Sequence, residues 1–416
     1  MYTIPLADLD YGPLEDQAVL DVLHSKWLTM GSVTQAFEQE FAACHTSSGA
    51  QAPFAIAVSN ATQALHLACL ALGIGPGDEV IVPSLTFVAT SNAVLYTGAD
   101  VRFADILGPG ATGGYDLTLD PADVEARITP RTKAIIVMHY GGYPCRMLQF
   151  RALADHYGLA LIEDAAHAPG AWLDGKALGT WGDIGCFSFF SNKNLSTGEG
   201  GMLLTAREDL AQRMRTLRSH GMTSLTWDRH HGHAYTYDVV DLGYNDRIDE
   251  IRSALGRVQL QKLAANNARR RSVTLAYWQA FTAAADSASP DRAFSLPFAS
   301  EFRAQAGHFT PDGELADARA YAPAHHLFPL LLPPGLQRTH FVDGLRAVGI
   351  QTSLHYPPTH TFTYYRQRYP AVTLPRTEAA AVREVTLPLY PTLTADQVQA
   401  VITTSLQTLA ALTQGK

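Results

Sequence analysis

Between Phe54 and Ala206 short apolar runs alternate with longer amphipathic ones, and this alternation narrows the possible folds more than any other feature of the chain. The apolar runs predict strands at Phe54–Val58, Glu79–Pro83, Val101–Asp105, Lys133–His139, Leu159–Glu163, Ile184–Phe189 and Met202–Thr205. Helices are predicted between them at Thr62–Leu72, Phe87–Thr97, Pro121–Ile128 and Met147–Tyr157. The third has Asp120 as its N-cap and Pro121 at the first helical position. Gly73-Ile74-Gly75-Pro76-Gly77-Asp78 supplies a turn before the second strand. Strands alternating with helices predict an α/β fold, a sheet covered by helices on both faces.

After Asn245 the pattern changes. Ile248, Ile251, Leu255, Val258 and, after a phase shift, Leu263 mark the stripe of a long helix running toward Trp278, placed to bridge two domains. Residues 285–325 lack periodicity and read as an irregular insertion. A second α/β segment follows, with strand candidates at His326–Leu332 and Gln351–His355, a helix around Val342–Val348 and a last helix from Ala395. At 416 residues, two domains are expected. We place them at 1–252 and 253–416, the smaller C-terminal one holding the bridging helix and the insertion.

Composition excludes several functions. The net charge of -8 argues against a nucleic-acid or anionic-membrane surface. Cys44, Cys69, Cys145 and Cys186 are widely spaced, which predicts free thiols in a reducing compartment rather than disulfides or a zinc site. No apolar run approaches the ~20 residues of a membrane span. Met1–Asp8 lacks a basic region followed by an apolar core. A cytoplasmic location is expected.

The chemistry centres on Lys193, which follows an apolar run and a serine, Ser188, and precedes the glycine-rich turn Gly198-Glu199-Gly200-Gly201. Glycines there let the backbone approach a ligand closely. Asp164 closes another apolar run, at the end of a strand where open α/β sheets place ligands. Alone it also suits a turn cap. Together the two residues point to pyridoxal phosphate (PLP): the amine holds the cofactor aldehyde as a Schiff base, and the carboxylate keeps the pyridine nitrogen protonated. His167 is placed to donate to the phenolic oxygen. Asn60-Ala61-Thr62 open a helix whose N–H groups suit a phosphate, although ordinary capping explains that segment equally well. Ser188 is a second candidate phosphate ligand, and Phe87 is a candidate for stacking on the ring.

Ile162-Glu163-Asp164-Ala165-Ala166-His167-Ala168 and Phe187-Ser188-Phe189 through Lys193-Asn194 to Gly201 resemble the DegT/StrS family of PLP-dependent sugar aminotransferases. The resemblance takes in Asn60–Leu65, Pro83–Phe87, Leu242–Arg247, His355-Tyr356-Pro357 and Leu387–Pro391, in order along nearly the whole chain. It implies the aspartate-aminotransferase-like fold (fold type I), with a large domain built on a mixed, mostly parallel sheet, and a homodimer whose sites are shared across the interface. It makes Lys193 the Schiff-base lysine, Asp164 the partner of the ring nitrogen and His167 the neighbour of the phenolic oxygen. Ala61, Thr62 and Ser188 would contact the phosphate, Phe87 would stack on the ring, and Asn245 would reach the phosphate of the partner's cofactor. The implied reaction moves an amino group from glutamate or glutamine to a keto sugar, usually nucleotide-linked. The His167 variant and the His355-Tyr356 segment look closest to enzymes acting at a 4-keto position, and His355 and Tyr356 are candidate substrate residues.

Three features depart from the family pattern: Asp246 in place of a larger residue, the 285–325 insertion, and the histidine-rich loop Trp227–His233. Arg229 in that loop is a candidate for binding a diphosphate, and no metal site is expected there. Two other functions use the same cofactor. A sugar dehydratase or deaminase is disfavoured by Lys193 and by the absence of clustered cysteines; a non-catalytic PLP-binding regulator is disfavoured by the lack of a basic face.

Overall fold

A computed structural model describes residues 2–109, 116–223, 236–286, 294–298 and 320–414. Its centre is a seven-stranded sheet. The first strands are β1 (Phe54–Val58), β2 (Glu79–Pro83), β3 (Asp100–Ala104), β4 (Thr132–Met138) and β5 (Ala160–Asp164). A short hairpin, β6 (Trp172–Leu173) and β7 (Lys176–Ala177), leads to β8 (Ile184–Ser188) and β9 (Gly201–Thr205). The sheet order is β1-β9-β8-β5-β4-β2-β3. Pairs from β3 through β8 are parallel, whereas β9 runs antiparallel to both neighbours, so the sheet is mixed and mainly parallel.

The predicted strands match to within one residue at either end. They were visible as unbroken apolar runs because both sheet faces are covered. Alternate residues feed two separate layers. Ala55, Ala57, Ile81, Ile135, Val137 and Leu161 face one core, while Ile56, Val58, Val80, Val82, Ile136 and Ile162 face the other. Asp120 caps its helix as expected, its side chain accepting the Ala122 N–H.

The long helix spans Glu250–Asp286. Leu260 and Leu263 join the first sheet core, whereas Val273, Tyr277, Trp278 and Phe281 belong to a third core. That third core also receives the antiparallel pair β11 (Phe328–Leu331) and β12 (Glu384–Leu387), together with the last helix, Ala395–Gln414. Between the long helix and β11, β10 (Tyr321–Ala322) pairs with β6. Most of the predicted insertion lies outside the described residues. The Gln351–His355 run is not a strand: only Ser353 bridges Thr386, while Gln351 donates its N–H to Ile4 and His355 donates to a Glu384 carboxyl oxygen. Its backbone groups are satisfied one at a time rather than by a ladder. Among the described residues, no helix is long and apolar enough to cross a membrane.

Candidate active site

Strands β2, β4, β5 and β8 run parallel and end at Pro83, Met138, Asp164 and Ser188. The loops carrying Phe87, Tyr140, His167 and Lys193 therefore leave the sheet at one edge, where parallel sheets open their binding crevices.

Asp164 ends β5 and is buried. Its Oδ2 accepts from the Thr90 hydroxyl at 2.7 Å, and its Oδ1 accepts from the Ala166 N–H at 3.2 Å. Burial raises its pKa, opposed by these two bonds and by the charge of Lys193. No salt bridge reaches Asp164 among the described residues. The neighbouring Glu163 accepts from His139 Nε2 at 3.0 Å, Gly179 N–H at 2.7 Å and Gly182 N–H at 2.6 Å. His139 Nδ1 accepts the Cys145 N–H, so the ring proton lies on Nε2. This fully buried pair fixes the ends of β4 and β5 beside one another.

His167 receives the Gly141 N–H on Nδ1 at 3.2 Å, which leaves its proton on Nε2, 2.9 Å from the Tyr356 hydroxyl. Burial, reinforced by Lys193 and His355, holds its pKa well below the usual value, so the ring is neutral. His326 lies against it, with ring centres 4.3 Å apart. Asn194 donates to Asn267 at 2.8 Å and to the Ala324 carbonyl at 2.7 Å, so its Oδ1 must accept from His326 Nδ1 at 3.0 Å.

Lys193 sits in the loop after β8, its N–H bound to the Phe190 carbonyl at 2.9 Å. Burial lowers its pKa to about 8, although the charge of Asp164 pulls the other way. No hydrogen bond or salt bridge engages its amine among the described residues.

The helix after β1 begins with Asn60, whose side chain accepts the Gln63 N–H at 3.0 Å. The Ala61 and Thr62 N–H groups have no hydrogen-bond partner among the described residues. Gly201 packs against this turn so closely that a Cβ would lie 2.7 Å from the Asn60 carbonyl carbon. Ser188 Oγ accepts from the Phe190 N–H at 3.3 Å. Phe87 is 57% exposed, with its ring centre 6.1 Å from that of Tyr356.

Asn245 is exposed, and the adjacent Asp246 carbonyl accepts the Ser59 N–H at 2.9 Å. Burial raises the Asp246 carboxyl to about 6. His355 and Tyr356 are joined to the site through His167 and through the Tyr140 hydroxyl, which donates to the His355 carbonyl. Arg229 and the Trp227–His233 loop lie outside the described residues. Sequence reasoning missed Thr90, His139, Tyr140, Asn194 and His326. Only Asn194, next to Lys193, carried any local signal.

The family profile of the DegT/DnrJ/EryC1/StrS aminotransferases matches residues 10–405. The chain belongs to this family. Among solved structures it is similar to DesV of S. venezuelae, at 33% identity and a TM-score of 0.81 over 98% of this chain and 99% of that one. Helicobacter pylori PseC, an aminotransferase involved in the biosynthesis of pseudoaminic acid, is 26% identical with a TM-score of 0.83 over 98% and 99%. The sugar aminotransferase CalS13 from Micromonospora echinospora is 27% identical with a TM-score of 0.80 over 97% and 100%. This DegT/DnrJ/EryC1/StrS member is therefore a PLP-dependent aminotransferase of fold type I.

The residues at this edge fit PLP. A buried carboxyl without an ion pair suits a protonated ring nitrogen, and two unbonded helix N-terminal N–H groups suit a phosphate. An amine with a lowered pKa and an exposed aromatic ring complete the donor set.

Proposed function

We propose that this chain moves an amino group from glutamate or glutamine to a keto sugar carried on a nucleotide. The observation that carries this reading is Lys193: an amine lowered to about 8 by burial, without an ion pair, at the edge where Asp164 is also placed. In this reading Lys193 binds the cofactor aldehyde, and Asp164, oriented by Thr90, holds the ring nitrogen. Asn60, Ala61, Thr62 and Ser188 receive the phosphate, and Phe87 covers the ring. Once bound, PLP supplies an electron sink for the bonds at the amine-bearing carbon.

Lys193 then carries the proton between that carbon and the cofactor. Its lowered pKa lets it accept a proton near neutral pH, where a solvated lysine stays charged. His167, neutral and with its proton on Nε2, is a donor rather than a cation at the site. Tyr356 and His355 border the substrate in this reading.

Asn245 and the apolar strip before it belong to a homodimer in this reading. Tyr237, Val239, Val240 and Leu242 are between 54% and 80% exposed, a run that a second subunit would cover. We divide the chain into two units, 1–252 and 253–416, because the long helix serves separate cores along its length, its packing changing from the first sheet core to the third between Leu263 and Val273. A cytoplasmic location is supported by the four free cysteines.

The test is amino transfer by purified protein loaded with PLP. L-glutamate and L-glutamine serve as donors, and UDP- and dTDP-linked keto hexoses as acceptors, the 4-keto sugars first. An amino sugar detected by mass spectrometry supports the proposal. Release of keto sugar and ammonia from an amino sugar, without transfer to any acceptor, overturns it in favour of deamination.

A further inference from the structure

Glu384 is a buried carboxyl group at the start of strand β12, two residues before Thr386. Its Oε2 accepts the His355 N–H at 2.9 Å. Its Oε1 lies 2.6 Å from the Thr386 hydroxyl, and that hydroxyl lies 2.8 Å from His355 Nδ1. Glu384 therefore holds His355 twice, directly at the main chain and through Thr386 at the ring. His355 is followed by Tyr356, which meets His167.

A hydroxyl has one proton to give. When Glu384 is ionised, Thr386 donates to it and accepts from His355 Nδ1–H, leaving Nε2 bare. When Glu384 carries a proton, it donates to Thr386, whose own proton then goes to Nδ1, and the ring proton lies on Nε2. His355 stays neutral in both arrangements, because burial lowers its pKa to about 3. We propose that Glu384 is a positioning residue that sets, through Thr386, which ring nitrogen of His355 carries the proton.

The consequence falls on a small recess bordered by Asn192, His326 and His355. Asn192 Oδ1 and His326 Nε2 are buried without hydrogen-bond partners. Both are acceptors, since His326 spends its proton on Asn194. His355 with Nε2–H adds a donor to this group, so a single water would find both donor and acceptors. With Nε2 bare, His355 becomes a third acceptor. Burial raises Glu384 to about 8, which brings both arrangements within reach of neutral and mildly alkaline pH. The titratable and charged groups around this carboxyl are Tyr140, His355, Tyr356 and Arg338.

Glu384→Gln tests the proposal. The amide carbonyl still accepts the His355 N–H, while its NH2 donates to Thr386 at every pH. The tautomer is read from ¹⁵N spectra of histidine-labelled holoenzyme, with His355 assigned by its loss in His355→Gln. The wild type should pass from Nε2–H to Nδ1–H as pH rises from about 7 to about 9, around the raised carboxyl pKa. The E384Q protein should hold Nε2–H throughout. The kinetic arm alone rests on the amino-transfer reading: Lys193 titrates within this window in both proteins, so the ratio of the wild-type to the E384Q rate at which L-glutamate discharges the near-visible absorbance should change about threefold or more across it, and a constant ratio counts against the proposal. A wild type with one tautomer across the window, or an E384Q protein that switches as wild type does, overturns the proposal. If E384Q does not fold, Thr386→Val cuts the same link and leaves the bond to the His355 N–H. Its tautomer should no longer follow pH, Thr386→Ser should restore the switch, and switching in the valine variant overturns the proposal. Wild type inert to every donor would sink the amino-transfer reading and leave the spectroscopic arm intact.

Discussion

The Thr90 hydroxyl donates a 2.7 Å hydrogen bond to Asp164 Oδ2 across 74 residues of sequence. This bond orients the carboxyl and supports its ionised form against the cost of burial. Thr90→Val removes the donor without changing the shape, leaving Asp164 with the Ala166 N–H alone. A hydrogen bond to a charged group contributes about 1.5–3 kcal/mol, so PLP affinity should fall roughly 10- to 100-fold. Thr90→Ser should recover most of it. Equilibrium dialysis of PLP against the three proteins checks this, and a valine variant that binds as wild type does would refute the role.

Burial disfavours the charge of Lys193 and lowers its pKa from the usual 10.5 to about 8. Only the neutral amine attacks an aldehyde. The rate of PLP capture by the apoprotein should therefore rise with pH to about 8 and then level off. A solvated lysine would keep gaining to beyond pH 10. Stopped-flow absorbance across pH 6–10 measures it, in buffers whose range is about that of the shifted and unshifted pKa. Lys193→Ala should lose both the capture phase and turnover.

Gly201 opens β9 against the turn at Asn60, where a Cβ would meet main-chain atoms at 2.7–2.9 Å. Backbone cannot swing away as a side-chain tip can. Gly201→Ala should cost about 1–3 kcal/mol of stability, as overpacking does, and should displace the Ala61 and Thr62 N–H groups. Thermal melts and PLP titration together test it: an alanine variant with unchanged melting and unchanged affinity contradicts the close approach.

The raised Glu384 pKa has a defined sign for stability. The folded carboxyl holds its proton up to about 8, whereas an unfolded one releases it near 4.5. Its contribution is complete below pH 4.5 and is lost as pH climbs through about 8. Measured against Glu384→Gln, which does not titrate, the wild-type melting temperature should fall progressively over that window. Parallel pH profiles for the two proteins would rule out the shift.

The main sheet was legible because its inner strands are buried on both faces and so read as apolar runs. Lys193, Asp164 and His167 were legible because each closes or follows such a run. Thr90, Tyr140 and Glu384 were not: each is an ordinary residue locally, and its role comes from a partner brought close only by the fold. Gln351–His355 misled for the related reason that its apolar and hydroxyl residues resemble a strand, while its hydrogen bonds go to Ile4 and to a side chain. Periodicity reports which face of an element is buried, and says nothing about which distant polar group will meet it.

The Thr3–Leu6 segment lies against Gly349–Gln351 and Leu389, with Thr3 donating to the Gly349 carbonyl 346 residues away. On the ribosome these residues emerge long before their partners exist, so the C-terminal layer can close only after Leu389 has been made. A C-terminal fragment expressed alone would lack the Ile4 side chain from its apolar centre. Supplying residues 2–8 as a separate peptide should therefore stabilise such a fragment, because one set of contacts that closes this layer comes from the far end of the sequence.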